Sequence, residues 1–185
     1  MTLLIAGMVV FMLPHLAPRL LNARDALIAR LGEGGYKIAY SVVSLIGLVM
    51  IVYGYKQAPV IPIYEPLENR LAIAHAVMPF AFVLFAGGHM KSNLKRWVRH
   101  PMSWGALLWS VTHLANRGDV ASLILFGGFA VFAVLSMVLI SAQTVREMPA
   151  PRAPVKDVIL IGAGLVAYAV ALVLHGVVGG VYVFG

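Results

Sequence analysis

Six histidines carry most of the chemistry that this chain could perform, and two of them stand out. His113 closes the run Arg99-His100-Pro101-Met102-Ser103-Trp104-Gly105-Ala106-Leu107-Leu108-Trp109-Ser110-Val111-Thr112-His113, four residues after Trp109 and therefore on the same helical face. His15 follows Pro14 near the end of the first apolar stretch, where proline can kink a helix and release a carbonyl for another partner. A neutral imidazole in such a setting is a ligand for transition metals and for haem iron, and its second ring nitrogen then needs an acceptor, which Thr112 or a freed carbonyl would supply. His89 follows Gly87-Gly88, where missing side chains permit close approach of a flat ligand or simply of another helix. His75, His175 and His100 rank below these three. Met78, Met90 and Met102 are soft enough to ligate, although methionine in apolar runs is usually filler. For each histidine the plainer role is an interfacial ring bonded to a backbone carbonyl.

Much other chemistry is excluded. There is no cysteine, so disulfides, thiolate nucleophiles and iron–sulfur ligation are out. The seven carboxylates, Asp25, Glu33, Glu65, Glu68, Asp119, Glu147 and Asp157, fall in loops or caps, leaving no proton-relay pair of the kind ion-driven transporters use. No Ser-His-Asp order, phosphate loop or HExxH zinc motif is present.

The elements that must position the histidines are helices in a bilayer. Of the 185 residues 61% are hydrophobic and 11% charged, with a mean hydropathy of +0.91, and the apolar residues come in runs of about twenty, the length a bilayer demands. The fold expected is all-α: a polytopic bundle of six transmembrane helices over a single domain, 1–185, with one short interfacial amphipathic helix. The spans are 1–21, 36–55, 68–88, 102–115, 119–143 and 157–178. The first lacks a basic n-region and a small-residue cleavage site and reads as a retained span. Residues 22–35 set Leu27, Ile28 and Leu31 against Arg24 and Arg30 at helical spacing and read as a helix in the headgroup layer. The fourth span opens on Pro101 and stops before Asn116, Gly118 and the N-cap Asp119; at about 1.5 Å per residue it rises only about 21 Å. Either it continues back through 91–100 or it stops part-way across and lines something.

Eleven of the fourteen Lys and Arg residues lie in the first, third and fifth connections, against Lys56, Arg70 and Arg117 in the others. The positive-inside rule then puts the odd connections in the cytoplasm and both termini outside. His15, His89 and His100 fall toward the cytoplasmic side and His75, His113 and His175 toward the outer one. The formal charge of +7 follows from the same loops, and no basic run interleaves with aromatics as a nucleic-acid surface would.

Arg99-His100-Pro101, Trp104-Gly105, Trp109, His113-Leu114, Gly118-Asp119 and Leu125-Phe126-Gly127, with Pro14-His15, Arg19-Leu20 and Gly34-Gly35-Tyr36-Lys37 upstream, resemble the NnrU family of bacterial membrane proteins over essentially the whole chain. The resemblance implies an inner-membrane protein associated with nitrogen-oxide metabolism (denitrification), beside nitrite and nitric oxide reductases. It is also similar to plant 15-cis-zeta-carotene isomerases, which bind haem b through histidines. Motif for motif, the implied axial ligands of haem b are His113 and His15, with Trp109 and His89 in the cofactor site and His89 or His75 as alternate ligands. An isomerase-like or oxidoreductase activity is implied if the protein is an enzyme, with a hydrophobic small molecule as substrate or respiratory membrane proteins as partners. The Arg-His-Pro-x-x-x-Gly start also resembles membrane methyltransferases of the isoprenylcysteine carboxyl type, whose later acidic and aromatic segment has no counterpart here. From the residues alone, a cofactor-free assembly partner or small-molecule transporter is the other class, although Ser41, Ser44, Ser110, Thr112 and Ser136 are too scattered to form one polar face.

Overall fold

The computed structural model describes residues 1–21 and 23–179. Its elements are α1 (Thr2–Leu20), α2 (Arg24–Lys56), α3 (Arg70–His89), α4 (Leu94–Trp97), α5 (Pro101–Asn116), α6 (Val120–Ser122), a π-helical segment (Leu123–Gly127), α7 (Gly128–Gln143) and α8 (Val155–Gly179). Among the described residues the only β pairing is one isolated bridge between Pro62 and Asp119. The chain divides into two compact units, Met1–Ile61 and Pro62–Gly185.

In the first unit α1 packs along α2 through glycines. A Cβ at Gly47 would lie 2.6 Å from the Phe11 backbone nitrogen, and one at Gly7 would lie 2.7 Å from that of Ile51. Such contacts let backbones approach closely, the usual way membrane helices associate when lipid offers no hydrophobic drive. Leu4, Met8 and Ile51 are buried in this seam. The expected amphipathic segment forms the start of α2, and Gly32 breaks it off at φ 71, ψ 161, a conformation reserved for glycine. Helix resumes at Glu33, so the second span begins three residues earlier than its hydrophobic pattern indicates.

In the second unit α3 packs on α5 and α8, and α5 packs on α7. Here too glycines set the spacing: a Cβ at Gly105 would meet the Ala81 carbonyl oxygen at 2.8 Å, and one at Gly164 would meet Val83 Cα at 2.7 Å. The fourth span does not continue through 91–100. That stretch turns through α4 and is tied to the first turn of α8 and to the connection before it, which holds Pro149, Pro151 and Pro154: the Asn93 N–H and side-chain amide both donate to the Asp157 carboxylate at 2.7 Å, Arg96 donates to the Pro149 carbonyl at 2.9 Å, and Arg146 donates back to the Arg96 carbonyl at 2.8 Å. Arg99 donates to the Thr144 carbonyl at 2.6 Å. Several of the basic residues counted in orientation are thus committed to backbone carbonyls.

Large apolar side chains cover the outside of these helices. α2, α3, the continuous run Val120–Gln143 and α8 are long and apolar enough to cross a membrane, and in each no more than 17% of the apolar window is buried within the protein. A soluble fold would bury such faces, so they are built for lipid. Four helices therefore meet the length and apolarity of a span where six were expected. α1 is a shorter apolar helix, and α5 has 16 residues, rising about 24 Å.

Candidate functional site

His113 sits in the last full turn of α5, and the structure around it is heavily braced. Pro101 opens the helix, its fixed φ suiting the first turn. At the other end, the carbonyls that a helix leaves without partners are taken by the segment before α3. The Tyr64 hydroxyl donates to the Leu114 carbonyl at 2.6 Å and lies 2.9 Å from that of Arg117, and the Leu67 N–H donates to Ala115 at 3.1 Å. Partial burial, then the Asp119 charge, raises the Tyr64 hydroxyl above its ordinary pKa, so it remains a donor. The Ile63 N–H reaches the Gly118 carbonyl at 2.7 Å. Asp119, itself buried, restarts the chain as an N-cap, accepting from the Ser122 N–H at 2.9 Å and from its hydroxyl at 2.7 Å.

Five residues of π-helix follow, an irregularity found mostly at functional sites. Here it presents Phe126 to His113. The two rings stack with centroids 4.5 Å apart and planes 24° apart, while Phe126 meets Trp109 edge-on at 4.9 Å and Phe129 meets Trp109 at 5.6 Å. Trp109 lies 4.8 Å from His113, as their shared face requires. The imidazole of His175, from α8, lies 6.3 Å from that of His113, with planes 24° apart.

His113 Nδ1 is 2.8 Å from the Trp109 carbonyl. A carbonyl only accepts, so Nδ1 carries the proton, and a neutral ring then holds its lone pair on Nε2. The acceptor the sequence reading sought is a backbone carbonyl; Thr112 is buried elsewhere on the helix.

His15, in the first unit, is built the same way. Its Nδ1 is 2.6 Å from the Phe11 carbonyl, again four residues earlier; its ring stacks on Phe11 at 4.6 Å and lies 4.8 Å from Tyr40. It lines a cavity of about 300 Å³ together with Pro14, Pro18, Arg24, Tyr36, Lys37, Tyr40 and Ser41.

The other histidines are placed differently. His75 is exposed, with Nδ1 2.8 Å from the Tyr168 hydroxyl, and His89 is exposed at the end of α3. His100 Nε2 pairs with the Ser141 hydroxyl at 2.8 Å; burial first, then Arg99 and Arg146, pushes this ring below the usual imidazole pKa. Met102 packs over Gly88, and Met78 is buried in α3. Among the described residues no three histidines or carboxylates gather into a metal cage. The donors offered at His113 are its own Nε2, with Nδ1 held by the helix, and the His175 imidazole 6.3 Å away.

Sequence reasoning ranked His175 low, because position along α8 says nothing about which helix lies opposite. It also passed over Arg24, Lys37 and Tyr40 as a group. Gly32, which breaks the amphipathic pattern between Arg24 and Tyr36, was the available signal for the cavity.

Long apolar helices with large lipid-facing side chains define a helical membrane protein. The family model described as NnrU protein matches residues 3–183, and the chain belongs to the NnrU family. No significant match was found among curated proteins or among solved structures.

Proposed function

We propose that this protein binds haem b and serves nitrogen-oxide respiration in a redox-linked accessory or isomerase-like role, with His113 as an axial ligand and His15, in its own unit, as the other candidate for that role. The observation that carries the reading is the shared tautomer. In each ring Nδ1–H is spent on the carbonyl four residues back, which orients the imidazole, raises its basicity and leaves Nε2 as the ligating atom. Trp109 contributes that carbonyl and a ring wall, and with Phe126 keeps water from the His113 face. His89 and His75 remain alternates, less well held because both are exposed.

Bound haem would supply one-electron chemistry; the chain's part is to hold Nε2 in place in a dry aromatic setting. The family and the charge pattern support a multi-pass location in a bacterial inner membrane, both termini periplasmic, with α1 and α5 completing six spans. Ahead of α5, α4 carries Lys95, Arg96 and a Trp97 that is 83% exposed, a composition suited to the membrane interface. Lipid is the surrounding partner, and a hydrophobic substrate or respiratory membrane proteins are the further ones proposed.

The test is the absorption spectrum of detergent-purified protein from haem-replete cells, oxidised and dithionite-reduced. A Soret band with sharp reduced α and β bands, lost in His113→Ala, is expected. A colourless protein overturns the reading in favour of an assembly partner.

A further inference from the structure

We infer that the cavity at His15 binds the anionic end of a membrane amphiphile, a carboxylate or phosphate oxyanion held by Arg24 and Lys37. The lining has two ends of different character. Pro14, Pro18 and Tyr40 present apolar and aromatic surface around His15, while Arg24 and Lys37 bring two cations to the same space of about 300 Å³, with Ser41 as a hydroxyl donor. Among the described residues that line it, none is acidic. A positive lining without a carboxylate selects an anion, and apolar walls beside it select one attached to an apolar body.

Each cation has a carboxylate partner outside the lining and keeps donors beyond it. Lys37 is ion-paired to Glu33 at 2.7 Å, a carboxylate that Arg24 also stabilises, and an ammonium has three donors. Arg24 lies 6.0 Å from the Tyr36 ring centroid, and its approach to Asp25 is a loose 3.7 Å between exposed side chains, an interaction of little strength in water. A guanidinium is also the cation best shaped for bidentate hold on a carboxylate or phosphate. The break at Gly32 is what allows this: it separates the turn bearing Arg24 from the helix bearing Tyr36, Lys37, Tyr40 and Ser41, so one chain segment supplies residues to the cavity from two directions.

Two sources carry this chemistry, the carboxylates of a porphyrin and the phosphodiester of an anionic lipid; only the first rests on the haem reading above. Full-length protein purified from haem-starved cells is titrated with haemin and with haemin dimethyl ester, whose carboxylates are blocked, and its retention of phosphatidylglycerol is measured by native mass spectrometry. Each is repeated in Arg24→Gln/Lys37→Gln. A porphyrin source gives haemin at least about tenfold tighter binding than the ester, a gap that closes in the double variant. A lipid source gives one retained phosphatidylglycerol per chain, lost in the double variant and kept in the charge-preserving Arg24→Lys/Lys37→Arg. Equal binding of haemin and ester, together with lipid retention unchanged by the double variant, overturns the inference. Failure of haemin to bind at all removes the haem reading alone, and the lipid measurement then decides the cavity.

Discussion

Asp119→Ala removes the residue that restarts the chain after α5. The carboxylate accepts from the Ser122 N–H at 2.9 Å and the Ser122 hydroxyl at 2.7 Å, and Ser122 is fully buried. Loss of an N-cap costs about 1 kcal/mol. Loss of the hydrogen bond from the Ser122 hydroxyl adds about 0.5–1.5 kcal/mol. A total near 1.5–2.5 kcal/mol corresponds to a fall in unfolding temperature of about 3–10 °C for a chain of this size. Asp119→Asn keeps one acceptor for the N–H and should lose roughly half as much. The consequence for the site is local: Asp119 anchors the π-helical segment that stacks Phe126 on His113 and Trp109, so Trp109 emission should shift as the wall loosens. Thermal unfolding in detergent with fluorescence readout measures both. An Asp119→Ala protein with unchanged unfolding temperature, or one as damaged by Asn as by Ala, would refute the reasoning.

Three further outcomes are expected. Gly47→Ala places a methyl 2.6 Å from the Phe11 nitrogen and should destabilise the α1–α2 pair by about 1–3 kcal/mol, whereas Gly162→Ala, with open space around it, should be neutral or slightly stabilising; detergent unfolding separates them. The Ser110 hydroxyl is fully buried with no hydrogen-bond partner among the described residues, so Ser110→Ala should hold or raise stability by up to about 1–2 kcal/mol, and a clear loss would show that the hydroxyl has work to do. His100, whose folded pKa is depressed, should titrate below 6.5 by NMR of labelled histidine. Unfolded protein then binds the proton more readily, so this ring's contribution to stability is full above 6.5 and falls as pH drops to the folded midpoint; Arg146→Gln should move that midpoint upward, and no movement would exclude its charge as a cause.

What could be read from the sequence was local. Proline at position 101 and the Asn116 to Asp119 signals bounded α5 to within a residue, and four-residue spacing put Trp109 against His113. The break near Gly32 was marked by its glycines. What could not be read was what lies across a helix. Phe126 meets His113 only because five residues adopt π geometry, and an apolar run carries no pattern for that shift. His175 faces His113 through the packing of α8, and the cavity at His15 depends on the angle the chain takes at Gly32. Span counting met a similar limit: apolar composition identifies α1 and α5, but length alone distinguishes them from the four helices that reach across a bilayer.

The central claim is that imidazoles locked by their own helix carbonyls ligate iron, and the electron paramagnetic resonance spectrum of the ferric protein tests it most directly. Ferric haem signals with imidazole ligation are expected in the wild type and should change in His113→Ala, with His15→Ala testing the other candidate separately. Signals unchanged by both substitutions would contradict it.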